Sequence, residues 1–422
     1  MENKLLKRAE MDARYQWDTA RLYADEQVWQ ADLDTLRAML PRLDQYAGRL
    51  GESAAVFGEF IRLEEDCGML LERLYLYAAM RRDEDNADAH FQGLYEQMEA
   101  LAVEAGQRAA FFAPEVLSLP EERLEEYLDQ PGLSLYRKMI GDITRLRAHT
   151  LSPAEERLLA GSGEMAAGFS NIFTMLTNAD MEFPLIGNER GEQQQLTAGN
   201  YIRFLQSRDR AVRKRAFDAK YDAYAKLGNT IAATLGASIK KDNFYALTAN
   251  YESALAASLD SDQIDGQVYH NLIATVRAHQ GDMARYLEIR RRLLGLAELH
   301  MYDIYVPLFP ELSNSFSWED AKKIINYALR PLGGEYLDTL MHGLNNGWVD
   351  VYENKGKTSG AYSSGVYGSD PYILLNYQDN LNSVFTLAHE AGHIAGGHQQ
   401  RLRDQLARAQ TMSVIASLLG AG

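Results

Sequence analysis

Residues 389–393 read His-Glu-Ala-Gly-His, and these residue types at this spacing can carry out metal-assisted hydrolysis. On a helix, positions four apart lie one above the other on the same face. The imidazoles of His389 and His393 can then reach one zinc ion at about 2.0–2.1 Å. Glu390, beside the first histidine, can serve as general base on a zinc-bound water and pass the proton to a leaving amine. The chain holds nine histidines, and a chance match to the pattern is expected in about one such chain in a hundred. His90, His149, His270, His279, His300 and His342 stand alone in sequence and read as ordinary surface or core histidines.

A motif of this kind must sit on a helix held by something rigid. The spacing predicts a helix from about Asn382, whose side chain can cap it, to at least His393, with Val384, Phe385, Leu387 and Ala388 along it. Gly392 weakens that helix and is tolerated where something packs closely. Just before it, residues 348–377 mix aromatics, Val and Ile with Gly and Ser. They read as two or three short strands with tight turns, the last over Tyr372–Tyr377. A second break, 181–196, alternates around Gly187-Asn188 and Gly191 and reads as a hairpin. The rest is helical in pattern. No proline lies between Pro184 and Pro307, and Leu272, Ile273, Val276, Met283, Tyr286 and Leu287 recur at helical spacing. Residues 1–150 read as amphipathic helices broken near Pro41, Pro114, Pro120 and Pro131. The fold class expected is mainly α, a multi-helix fold with a small β-sheet beside the motif helix.

With 422 residues and a net charge of −16, the chain can bury a large core and is a poor match to nucleic acid, which needs clustered Lys and Arg. Cys67 is its one cysteine, so neither an intrachain disulfide nor an all-thiolate zinc site is available. The N-terminus lacks a signal-like apolar region, and no stretch approaches the roughly 18 apolar residues of a membrane span. A cytoplasmic location is expected, with no membrane or nucleic-acid partner; the oligomeric state is left open.

The run ENKGKTSGAYSSGVYGSDPYILLNYQDNLNSVFTLAHEAGH, ending at His393, closely resembles the oligoendopeptidase F branch of the thimet-oligopeptidase-like metallopeptidases. HMYDIYVPL at 300–308, YESALAASL at 251–259, FSNIFTMLTNADMEFP at 169–184 and RYQWDTARLY at 14–23 are similar to the same family. The resemblance runs from about residue 14 to His393. It implies a mostly helical peptidase with its site in a deep internal channel, zinc as cofactor and short peptides as substrates. It implies His389 and His393 as metal ligands, Glu390 as the catalytic base, and Gly360, Ala361 and Tyr362 as a substrate-binding edge that pairs with the peptide backbone.

Departures accompany it. Thr358 stands where the family has a basic residue. After His393 the family supplies a glutamate as third ligand and later a His/Tyr segment, whereas here no glutamate follows Glu390. His398 and Asp404 are the remaining candidates, and Gln399 occupies the place of a third histidine in the HExxHxxGxxH arrangement. The tail reads as that of a frameshifted or prematurely ended copy. The organisation expected is an N-terminal helical domain over 1–195, an incomplete metallopeptidase domain over 196–393 and an atypical tail over 394–422. The expected function is a zinc-dependent endopeptidase of short peptides, impaired because the third ligand and C-terminal region are missing. The alternative is an inactive helical scaffold or peptide-binding remnant.

Overall fold

Helix caps set the N-terminal third. Asp25 accepts from the backbone N–H groups of Gln27 and Val28, Ser53 from Val56 and Asp88 from His90, satisfying donors that a helix start leaves unpaired. They open the helices Glu26–Met39, Ala54–Glu84 and Ala89–Ala109. The computed structural model describes residues 5–308 and 315–403, with side chains as far as His393. Trp29, Leu33 and Leu36 of the first helix meet Phe57, Phe60, Ile61 and Leu74 of the second in one apolar core. Among the described residues no helix is long and apolar enough to cross a membrane.

The helix Ala54–Glu84 buries polar as well as apolar positions, including Glu64, Glu65 and Glu72. Burial, with Glu65 and Glu72 adding to it, pushes the Glu64 carboxyl up to about 8 from its ordinary 4.5. Between those values the folded chain holds a proton that the unfolded chain releases, so this group's stabilisation is complete in acid and is lost as pH rises toward about 8. Glu64→Gln is therefore expected to unfold later than the parent at pH 8, by up to about 4 kcal/mol, and to differ little near pH 4. Urea midpoints at the two pH values check this.

The expected hairpin is present. Strands β1 (Leu185–Gly187) and β2 (Gln193–Gln195) pair antiparallel, Leu185 opposite Gln195. Asn188 closes the turn by accepting from the N–H groups of Arg190 and Glu192, and Gly191 takes a φ of 77°, a region glycine enters at little cost. Ile186 and Leu196 anchor the hairpin in a separate core with Tyr201, Phe204, Val212 and Tyr302. Beneath it Asp303, fully buried, is held by Arg210 and Arg213 at 2.9 and 2.7 Å.

The second break is also sheet: β3 (Val349–Asp350), β4 (Tyr362–Ser364) and β5 (Tyr372–Leu374), in the order β3-β5-β4. β5 is parallel to β3 and antiparallel to β4. Because strand side chains alternate, β5 serves two cores. Tyr372 and Leu374 join the N-terminal helices. Ile373 and Leu375 join Trp318, Ala321, Ile325 and Leu340 together with Val384, Leu387 and Ala391. The last three belong to the helix Leu381–Arg403 that carries the motif.

Two boundaries differ from the sequence reading. The last strand ends at Leu374, not Tyr377: its pairing with β4 stops at Leu374 opposite Tyr362, and beyond it only the backbone N–H groups of Leu375 and Tyr377, bonded to Asp350 O and Val351 O, continue along the β3 side. The cap of the motif helix is Asn380, not Asn382. Asn380 Oδ1 accepts from Ser383 N at 2.8 Å, while Asn382 lies inside the helix, its carbonyl accepting from Thr386 Oγ1. The stretch around Leu272 is helical as expected, in Gly266–Ala278 and Gln280–Leu293. Val268, Leu272, Val276, Met283 and Tyr286 are nonetheless exposed, so no described residue covers that apolar stripe.

Candidate active site

The inward stripe of the motif helix is Val384, Leu387 and Ala391, one position every three or four residues, which seats it on the sheet and on the helices Trp318–Ala328 and Gly334–Asn345. Tyr336 of the latter donates its hydroxyl to the Ala391 carbonyl at 3.2 Å. With that face committed, the four-residue repeat Phe385, His389, His393 is exposed. Glu390, adjacent to the inward stripe, is buried.

His389 Nε2 and His393 Nε2 are 3.2 Å apart, with ring planes at 82°. Two nitrogens bound to one tetrahedral zinc at about 2.0–2.1 Å stand about 3.3 Å apart. The pair as folded therefore fits a shared ion without a change of backbone. Among the described residues no group of three or more His, Cys, Asp or Glu is gathered to hold a metal. The side chains of the two further candidates, His398 and Asp404, lie outside the described residues.

The proposed peptide edge lies beside this helix. β4 is paired on one side only among the described residues, and the motif helix packs along it. Gly360 adopts a φ of 90°, which disfavours any side chain there. Ala361 packs toward the second core, with Ala388 of the motif helix in the same cluster. Tyr362 turns away from the helix. Its hydroxyl donates to Asp83 Oδ2 at 2.8 Å, its ring lies 6.4 Å from that of Trp17, and burial with the Asp83 charge pushes its phenol far up. Of the three residues, then, Tyr362 has its side chain committed elsewhere and Gly360 has none, so backbone groups are what the segment can offer. Thr358 fixes the same segment from below, donating its hydroxyl to Asp83 Oδ1 at 2.9 Å and accepting from Asn86 Nδ2 at 2.8 Å.

The sequence reading placed Asn376 and Tyr377 in the last strand and assigned no role to Gln378–Asn380, yet each residue of Asn376–Asn380 is tied. Asn376 Nδ2 donates to the carbonyls of Thr358 and Gly360. Tyr377 Oη donates to Phe316 O. Gln378 Nε2 reaches Glu353 Oε2, and Gln378 N donates to Ser383 Oγ. Asp379 takes a φ of 49°, and its carbonyl accepts from Phe316 N. Glu353, raised above the usual carboxylate range by burial, also accepts from Thr197 Oγ1 at 2.9 Å. The available signal was the density of polar residues in NYQDN between an apolar strand and a helix.

The isolated histidines have ordinary surroundings: His149 stacks on Tyr251, His300 on Tyr302, and His90 meets Glu26.

Residues 203–399 match the family described as peptidase family M3, and residues 115–183 match oligopeptidase F. Oligopeptidase PepF of Bacillus subtilis is 42% identical over 400 residues, covering 94% of this chain and 60% of the relative. Group B oligopeptidase PepB of Streptococcus agalactiae is 36% identical over 387 residues, covering 92% of this chain and 64% of the relative. The chain thus spans about 60% of the length of these curated relatives. A peptidase structure from Chlamydophila abortus superposes with a TM-score of 0.65 at 31% identity, covering 99% of this chain and 71% of that one. Oligoendopeptidase F from Enterococcus faecium gives 0.66 at 36% identity, over 74% of this chain and 60% of that one.

Proposed function

This chain belongs to peptidase family M3, in its oligopeptidase F branch, and from that membership we propose that it is a zinc-dependent endopeptidase acting on short peptides. The observation that carries the reading is the 3.2 Å approach of His389 Nε2 and His393 Nε2, next to Glu390 and beside a strand paired on one side only among the described residues.

In this reading His389 and His393 would hold zinc through their Nε2 atoms, and zinc so held would supply polarisation of a carbonyl and a water acidic enough to be a nucleophile near neutral pH. The Glu390 carboxylate takes the proton from the attacking water and returns it to the leaving amine. The backbone of Gly360–Tyr362 orients the peptide by adding it as a strand, a mode that fixes the main chain and leaves side-chain choice to other pockets. Residues 1–195 form the helical part that backs the sheet, and 196–393 the part that bears the site. The single cysteine and acidic composition fit a cytoplasmic setting.

Among the described residues two protein ligands are in reach of a zinc ion, and two ligands give little geometric control, so the chain is expected to retain less than one zinc per chain after dialysis and to turn over slowly. Elemental analysis of the dialysed chain and of His389→Ala, together with cleavage of a short quenched-fluorescent peptide, tests both halves. Zinc that does not depend on His389 would overturn the metal site. Peptide binding without any turnover would favour a non-catalytic peptide-binding scaffold instead. Stoichiometric zinc with fast cleavage would show that a further ligand completes the site.

A further inference from the structure

We propose that Asn376 is a positioning residue that sets where a bound peptide lies relative to the motif helix; this rests on the reading of the Gly360–Tyr362 edge given above. The geometry is a two-pronged clamp. The two hydrogens of one amide nitrogen go to the carbonyls of alternate residues, Thr358 at 3.0 Å and Gly360 at 2.9 Å. Both acceptors are carbonyls, so the amide orientation is fixed by chemistry. Asn376 Oδ1 is buried without a partner among the described residues. An unmet acceptor costs free energy, so whatever this side chain contributes comes through its donor half.

The clamp holds the two chains just beyond the end of the β4–β5 ladder, whose last pair is Tyr362 opposite Leu374. On one side is Gly360, whose φ of 90° bends the chain just before β4. Such a backbone is easily displaced because glycine has many accessible conformations, so the heading of the chain entering β4, Gly360–Ala361, depends on what holds Gly360, the strand itself being paired to β5 from Tyr362 on. On the other side Asn376 sits in a segment with no slack. Leu375 N and Tyr377 N donate to Asp350 O and Val351 O at 2.8 and 2.9 Å, Tyr377 Oη to Phe316 O at 2.8 Å, and Asn380 caps the motif helix. Asn376 thus transmits the position of the helix bearing His389 and His393 to the edge that would align the peptide. Thr358 has other ties, to Asp83 and Asn86, which makes Gly360 the point where the clamp decides the geometry.

The test uses the full chain in a Glu390→Gln background, so that peptide is bound and not cut. Asn376→Asp keeps the shape but removes both donors and sets a carboxylate against two carbonyls. Affinity for a short fluorescent peptide is expected to fall by about tenfold or more, while zinc binding at the histidine pair stays within about twofold of the parent. Amide hydrogen exchange should accelerate over residues 358–364 and stay unchanged at β3 and β5. A loss of stability alone would speed exchange throughout and leave the metal and peptide effects coupled. Should Asn376→Asp fail to fold, Asn376→Ser, which keeps one donor, replaces it and is expected to show the same pattern at smaller amplitude. If the parent binds peptide and the variant binds it equally, or if exchange over 358–364 does not change, the inference is overturned. If the parent itself binds no peptide, the edge reading fails, and the exchange comparison still decides whether Asn376 clamps Gly360.

Discussion

Glu390→Gln is expected to lower peptide turnover by about 10²–10⁴-fold, the usual range for loss of a positioned general base. Glutamine keeps the shape of the side chain and one carbonyl oxygen but cannot take a proton. The helix should be indifferent to the change. Glu390 follows His389 on a helix whose packing is set by Val384, Leu387 and Ala391, and glutamine has a similar helix propensity. Zinc content and the thermal transition should therefore match the parent, and this separates a chemical role from a structural one. Measured turnover that survives the substitution would mean that the observed cleavage comes from another group or a contaminant. The experiment is informative even if the parent is slow, because it reads a ratio.

Lys357→Met is expected to destabilise the fold by about 3–5 kcal/mol, because it leaves a buried carboxylate short of a partner. Asp350 is fully buried on β3. Lys357 Nζ lies 2.6 Å from its Oδ1, and an Arg8 guanidinium nitrogen lies 2.6 Å from its Oδ2. Burial pushes the Asp350 carboxyl up, but Lys357 and Arg8 outweigh that and hold it below the usual range. The folded state then binds fewer protons than the unfolded one only around and below the ordinary carboxylate value. This contribution is present above about pH 4 and is lost as pH falls through the lowered value. Arg8 also reaches Glu84 at 3.2 Å, and Trp17 Nε1 donates to Glu84 at 2.6 Å. The N-terminal segment, the end of the long helix and the first strand of the site's sheet are thus one unit. Urea unfolding of Lys357→Met, and of Asp350→Asn/Lys357→Met, checks the assignment. The double variant should recover part of the loss, since no unpaired charge is left behind.

The division between what was legible in the residues and what was not follows the range of the interactions. The helix over 389–393 and the shared face of its histidines follow from an i, i+4 spacing, which depends on nothing beyond the segment. The hairpin at 185–195 follows from local turn chemistry at Asn188 and Gly191, and the sheet region from its aromatic, Gly and Ser content.

What the sequence left open depends on residues far apart in the chain. Asn380 and Asn382 are equally good caps by type, and the choice of Asn380 was made by Asp379, whose carbonyl is held by Phe316 and whose φ is 49°. Tyr362 could have faced a peptide; Asp83, 279 positions earlier, takes its hydroxyl instead. β5 could have been read as one buried strand, but its neighbours on either face come from residues 17–140 and from 318–391, and no local pattern states which. Asp350 needs Arg8 and Lys357, and Asn376 needs the carbonyls of Thr358 and Gly360, partners that a strand and its turns bring near only after the sheet has formed. Backbone geometry and side-chain type act within a turn or two and so are written in the residues themselves. The partners of a buried charge or amide are chosen by burial, which only the assembled tertiary structure decides, because the cost of leaving such a group unpaired arises only once water has been excluded.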